Sequence, residues 1–153
     1  MSHQIRIATE TDLEQIMIIE KACFANDAWS KANMKSELLA PHTTYVVAEE
    51  EGNLIGYAGL SKLETSSTSD IQTIAVSECN RGLGIGRALM QSLLEFAREQ
   101  GAKEVFLEVR EDKQTPQNLY KSLGFTAIDR RENYYQPDGV AAIVMRLDLE
   151  VQT

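Results

Sequence analysis

The chain has 153 residues, 43% of them hydrophobic and 25% charged, which fits a single globular domain spanning residues 1–153 with its own apolar core. No apolar stretch approaches the roughly 20 residues of a membrane-spanning helix, and Met1-Ser2-His3-Gln4-Ile5-Arg6 lacks the basic and apolar regions of a secretory leader, so the cytoplasm is the expected compartment. The net charge of −8 repels phosphate backbones and argues against nucleic acid as a partner; it suits a cationic substrate, and equally plain solubility.

Residues Ile5–Ala8 read as a short strand. Thr11 is placed to cap a helix, with Glu14 completing a capping box, and the apolar face Leu13, Ile16, Met17 carries the helix through Glu20 to about Phe24. Ser30 is the next cap, with Trp29 and Met34 at staple positions, and that helix ends near Ala40-Pro41. Tyr45–Ala48, a turn at Glu51-Gly52-Asn53 and Leu54–Leu63 form a hairpin, and Asp70–Val76 is a third strand. A helix follows from Ile85 to about Gln100, stopped by Gly101, then a strand Val105–Arg110. Thr115-Pro116 opens another helix, stopped by Gly124, before strands Phe125–Arg130 and Ala142–Leu149. The order is β-α-α-β-β-β-α-β-α-β-β. It predicts an α/β (α+β) mixed sheet with helices on both faces, its parallel element being the strand–helix–strand unit Asp70–Arg110.

The feature that carries most chemistry is Arg81-Gly82-Leu83-Gly84-Ile85-Gly86, between a strand and an amphipathic helix. Alternating glycines let successive N–H groups turn toward one point, and the helix start adds unpaired donors and positive dipole. The result is an anion site sized for a diphosphate, with Arg81 and Arg87 able to add charge at its rim; the bland alternative is a flexible turn. A P-loop requires Lys and Ser or Thr after the last glycine, where this chain has Arg87-Ala88. A dinucleotide fingerprint requires GxGxxG near the first strand, and the spacing here is GxGxG after several strands. Cys23 and Cys79 form no CxxC pair and read as free, partly buried thiols. His3 and His42 lack metal-ligand spacing, so no metal is expected.

The segment Arg81–Leu89, with Ile74-Ala75-Val76 before it, resembles the phosphate-binding region of the GNAT superfamily of N-acetyltransferases, and the element order fits over nearly the whole chain. The resemblance implies the GNAT fold and acetyl-CoA as co-substrate. Its pyrophosphate would lie on Arg81, Gly82, Leu83, Gly84, Ile85, Gly86 and Arg87. Its pantetheine arm would lie along Ile74, Ala75 and Val76, in a gap where two parallel strands splay.

Acetyl transfer to an amine needs a neutral nucleophile, a donor for the oxyanion and a proton for the thiolate. On Val105–Arg110, Glu108 shares a face with Phe106 and Arg110. A mid-strand carboxylate there is a general-base candidate, directly or through water, or else a partner for a neighbour such as Arg110. Tyr120, in Leu119-Tyr120-Lys121-Ser122-Leu123-Gly124-Phe125, is a core residue on pattern alone. The segment resembles the superfamily motif whose tyrosine lies by the CoA sulfur as general acid.

A narrower likeness, to the RimI branch that acetylates the N-terminal alanine of small-subunit ribosomal protein eighteen, rests on Leu107–Arg110, Leu119–Phe125, Arg130–Tyr135, Asp138-Gly139 and Ala28-Trp29-Ser30. It implies Glu108 as base, Tyr120 as acid, and Trp29 and Tyr134 in the peptide site. Lys113 stands where the branch carries a CoA-contacting asparagine, and a lysine there reaches a phosphate. An α-amine titrates near 7.7–8.0, so roughly a tenth or more is neutral at pH 7, against well under about 0.1% for a lysine. A single carboxylate base therefore suits a protein N-terminus. The other readings are lysine side chains, polyamines or aminoglycosides as acceptors, or a non-catalytic CoA-binding regulatory domain.

Overall fold

Alternation along Thr43–Glu50 decides the layering. Tyr45 and Val47 point to one face, Val46 and Ala48 to the other, and all four are buried, so the strand must be covered on both sides. The structure, a computed structural model, describes residues 3–149; residues 1–2 and 150–153, the two ends of the expected domain 1–153, lie outside the described residues. The strands are β1 (Gln4–Ile7), β2 (Thr43–Glu50), β3 (Asn53–Ser61), β4 (Thr68–Val76), β5 (Glu104–Arg110), β6 (Thr126–Tyr135) and β7 (Val140–Asp148). They form one sheet in the order β1-β2-β3-β4-β5-β7-β6, antiparallel except between β4 and β5.

Helices α1 (Leu13–Phe24), α2 (Lys31–Leu39), α3 (Ile85–Glu99) and α4 (Gln114–Ser122) complete the expected order. On one face, α3 sets Leu89, Met90 and Leu93 against Val46, Ala58 and Val105, and Tyr120 of α4 joins this core. On the other, Ile16 and Met17 of α1 and Met34 of α2 pack on Tyr45, Val47 and Tyr57.

Helix starts follow local chemistry where nothing distant competes. Ser30 Oγ accepts from Asn33 N–H at 3.0 Å, and Trp29 packs in the same cluster as the fully buried Met34, which is the expected cap and staple. The expected Thr11–Glu14 box is not formed. The chain turns at Thr9 instead, whose N–H donates to the Asp12 carboxylate at 2.8 Å, because Arg6 grips that same carboxylate through two bonds of 2.9 Å. Helix α4 begins at Gln114, which puts Thr115 and Pro116 inside its first turn. Proline is tolerated there because its missing N–H has no helical partner to lose. Strand β6 runs past the expected end at Arg130 to Tyr135 and β7 starts before the expected Ala142, at Val140, while Phe125 and Leu149 fall just outside them. Nearly all of β6 is exposed, so it carries no apolar alternation to read, and its register with β7 shifts between Arg131 and Tyr135.

The parallel seam is short. β4 pairs with β5 only at Thr68, Ser69 and Asp70, opposite Glu104, Val105 and Phe106. Just beyond, Gly59 of β3 pairs with Thr73 and Leu60 with Ile71, leaving Gln72 as an extra residue. Such a bulge bends its strand. β4 then follows β3 to Val76 and β5 follows β7 to Arg110, so the strands diverge and the expected splay lies between them.

Gly59 also has a packing task. A Cβ there would lie 2.3 Å from the Tyr45 ring, and the Tyr45 hydroxyl is tied to Gln72 at 2.8 Å, so the ring cannot easily retreat. Gly59→Ala is expected to cost about 2–3 kcal/mol, read as a lower urea midpoint at unchanged m-value. An unchanged midpoint would show that the ring has room to move.

Candidate active site

The glycine loop closes one end of the gap. After Val76 the chain makes a 3-10 turn, Glu78–Asn80, and enters α3 with Gly82 at φ 79° and Gly84, the N-cap, at φ 84°. These left-handed conformations favour glycine. The first helical bond runs from Ala88 N–H to Gly84 C=O at 3.0 Å, which leaves the N–H groups of Ile85, Gly86 and Arg87 without intrahelical acceptors. A Cβ on Gly86 would meet Leu119 at 3.4 Å and Val76 at 3.8 Å, so this glycine sits where α3, α4 and β4 converge.

The cations around the loop are anchored. Arg81 turns back so that Nε donates to Val76 C=O at 3.1 Å, with Nη2 3.2 Å from Cys23 Sγ. Arg87 donates to Ser122 Oγ at 2.6 Å, tying the start of α3 to the end of α4. Lys113 is exposed at the start of α4. Ile74, Ala75 and Val76 pair with Ala58, Tyr57 and Gly56 of β3, and alternate residues of such a strand direct their N–H and C=O groups to its other side, which here is the gap. Cys23 is half-buried and Cys79 exposed, both free thiols.

Glu108 lies on the opposite side of β5 from the buried Leu107 and Val109. Its Oε1 accepts from the Tyr134 hydroxyl at 2.6 Å and its Oε2 lies 3.2 Å from Arg131 Nη1. Binding its proton to Glu108 raises the Tyr134 phenol above its usual pKa. The alternative pairing with Arg110 does not occur, since Arg110 is engaged by Asp27, Asp112 and Asp138. Glu108 and Tyr134, singled out separately in the sequence, are therefore in contact.

Tyr120 stands on the other face, 6% exposed, its ring edge-on to Phe125 at 6.0 Å. Burial, and secondarily Tyr135, raise its phenol well above the ordinary pKa, so it stays protonated at neutral pH. Trp29 is half-buried, and its backbone N–H donates to Glu20 Oε2 at 2.8 Å.

Glu20, Asp70, Arg110 and Arg131 belong to this region and were not singled out as site residues in the sequence. Glu20 is 1% exposed and its other oxygen accepts from the Tyr57 hydroxyl. The available signal was its position three and four residues after Met17 and Ile16, on the apolar face of α1, where a carboxylate requires partners. Asp70 pairs with Phe106 across the parallel seam and so shares a face with Glu108. Partial desolvation, then the charge of Glu108, raise its carboxyl above the ordinary pKa.

Asp70 thus binds its proton more tightly in the folded chain than in the unfolded one. Below the ordinary value of 3.8 both states are protonated and stability is unaffected. As pH rises from there through the raised value, stability falls, and the loss persists at neutral pH. Asp70→Asn is expected to raise the melting temperature at pH 7 and to leave it unchanged near pH 3. An Asn variant no more stable than the parent at pH 7 would refute this electrostatic assignment.

Known proteins share this architecture and much of the sequence. Residues 13–125 match the family model described as Acetyltransferase (GNAT) family. The chain is 38% identical over 143 residues to the N-alpha-acetyltransferase RimI of Mycobacterium tuberculosis, a match covering 92% of this chain and 89% of that protein. It is 30% identical over 148 residues to the alanine N-acetyltransferase of small-subunit ribosomal protein eighteen from Haemophilus ducreyi, covering 95% of this chain and 99% of that one. The crystal structure of the corresponding Escherichia coli enzyme superposes with a TM-score of 0.89 at 27% identity, over 99% of this chain and 97% of its own. Glycine loop, splayed strands and Tyr120 all fall within the family match, and the chain belongs to the acetyltransferase (GNAT) family, alongside the RimI-type N-alpha-acetyltransferases.

Proposed function

We propose that residues 1–153 form one catalytic domain that transfers acetyl from acetyl-CoA to the α-amine of a protein N-terminus in the cytoplasm. The leading acceptor is the N-terminal alanine of small-subunit ribosomal protein eighteen, on which the H. ducreyi and E. coli relatives act by name. The observation that carries this reading is the contact of Tyr134 with Glu108 beside the splay. It sets a carboxylate and an aromatic peptide-site candidate together on one side of the gap. The surplus negative charge favours a cationic amine over nucleic acid, and no step requires a metal.

In this reading the pyrophosphate rests on the N–H groups of Gly82–Gly86, with Arg81, Leu83, Ile85, Arg87 and Lys113 around it. The pantetheine arm follows Ile74, Ala75 and Val76. The acceptor ammonium gives a proton to Glu108, directly or through one water. The neutral nitrogen attacks the thioester carbon, the C–N bond forms and the C–S bond breaks. Tyr120 donates a hydrogen bond to the developing thiolate and supplies its proton; the attacking nitrogen loses its second proton to water as the amide forms, and water returns a proton to the phenol. The phenol is protonated at neutral pH and so is available as a donor when the thiolate forms. Trp29 and Tyr134 flank the entering peptide.

Acetyl-CoA at a hundred times its Kd is expected to stabilise the fold by about 2.7 kcal/mol; no rise in melting temperature at millimolar acetyl-CoA would overturn the cradle. Mass spectrometry of transfer to the ribosomal N-terminal peptide, a lysine peptide, and polyamine and aminoglycoside panels decides the acceptor. Transfer only to small amines would overturn the N-terminal reading, and no transfer to any amine would favour a regulatory CoA-binding domain.

Tyr120→Phe is expected to lower kcat by roughly a hundredfold while leaving the acetyl-CoA-induced melting shift intact; unchanged kcat removes the acid role. Glu108→Gln should shift the acidic limb of the pH–rate profile, and an unaltered limb would point to another base.

A further inference from the structure

Arg110 ends β5 with its guanidinium gripped by carboxylates from three separate segments. Nη1 donates at 2.6 Å to Asp27, in the connection between α1 and α2. Nη2 donates at 2.9 Å to Asp138, in the turn between β6 and β7. Nε and Nη2 donate at 3.1 Å to Asp112, in the connection between β5 and α4. The guanidinium carbon also lies 5.2 Å from the centre of the Tyr135 ring. The Arg110 side chain is 15% exposed, so these contacts are partly shielded from water and salt. One carboxylate would balance the charge. Convergence of three makes Arg110 a tether between segments, a task that suits a planar fork of donors and not an ammonium.

The tether reaches the proposed base. Tyr135 meets Tyr134 edge-to-face at 5.0 Å, and Tyr134 donates to Glu108 at 2.6 Å. It also reaches the segment bearing Trp29. That segment is fixed at Asp27 by Arg110 and at the Trp29 N–H by the buried Glu20.

We propose that Arg110 is the positioning residue of the acceptor side. It fixes the Asp27 and Asp138 segments, which frame an entering peptide N-terminus, and, through Tyr135 and Tyr134, holds Glu108 in place for the incoming amine. The proposal rests on the reading of Glu108 as the proton acceptor. It differs from that reading in predicting an effect on acceptor use that spares the donor.

Steady-state kinetics of Arg110→Lys and Arg110→Gln, each alone and combined with Tyr134→Phe, test it with the ribosomal N-terminal peptide and acetyl-CoA. The Gln variant should raise the peptide KM roughly tenfold and lower kcat, with the acetyl-CoA KM within about twofold of the parent. The Lys variant should behave nearly as poorly, since it keeps the charge and loses the fork. In the Tyr134→Phe background, removing Arg110 should cost kcat little more, because the relay is already cut. Equal rises in both KM values, or a full additional loss of kcat in that background, would overturn the proposal. Should the Gln variant not fold, Asp27→Asn and Asp138→Asn each cut one tether and should raise the peptide KM by about threefold; no rise in either would also overturn it. A parent enzyme that acetylates only small amines defeats the peptide reading by itself. The same double variants, measured on kcat for that amine, then decide Arg110 separately.

Discussion

The seam of three residue pairs between Thr68–Asp70 and Glu104–Phe106 joins a four-strand half of the sheet to a three-strand half, and the site follows from how early the seam ends. Continued pairing would bury the edge of β4 against β5. The bulge at Gln72 prevents this, and it is held by packing: Gln72 bonds the Tyr45 hydroxyl on one side and Glu37 on the other. Both parallel strands lead into helices beyond the seam, α3 from β4 and α4 from β5. The carboxyl ends of parallel strands, where helix N-termini collect, are where open α/β sheets bind ligands.

The acceptor side is arranged at some cost in stability. Asp70 and Glu108 share a face near the apex of the splay, and desolvation together with the charge of Glu108 makes ionisation of Asp70 harder. A carboxylate placed for stability would face a cation, as the buried Asp12 faces Arg6. Arg131 lies 3.2 Å from Glu108, whereas Asp70 gains nothing comparable from the described ion pairs. Conflicts of this kind are characteristic of sites held for chemistry. The carboxylates around Arg110 show the opposite balance, with Asp112 held below its ordinary pKa by the guanidinium.

What the sequence made legible was set by periodicity and local chemistry. The strand order, the Ser30 cap and the glycine loop needed only neighbours within a few residues. Long-range partners defeated the same logic. Thr11 lost its cap because Arg6, on β1, organises Asp12. The extent of β6 was hidden because an exposed edge strand has no apolar face to display. For Glu108 the sequence offered Arg110 as a partner two residues away on the same face, yet three aspartates distant in sequence or across a turn claim that guanidinium, and the actual partners come from β6. Trp29 and Tyr134 entered as peptide-site candidates only through a family likeness, since nothing in their spacing marks them for that role.

The placement of Glu108 and Tyr120 on opposite sides of β5 bears on the proposed chemistry as well as on binding. Tyr120 belongs to the core beneath α3, while Glu108 faces the side of α1 and β6. In a continuous sheet, two such groups would be separated by a full layer of backbone. In the proposed reading, a thioester threaded where β4 and β5 part would be open to both faces, with the amine arriving from the carboxylate side and the sulfur leaving toward the phenol. Proton removal and proton supply would then act from opposite faces of the sheet.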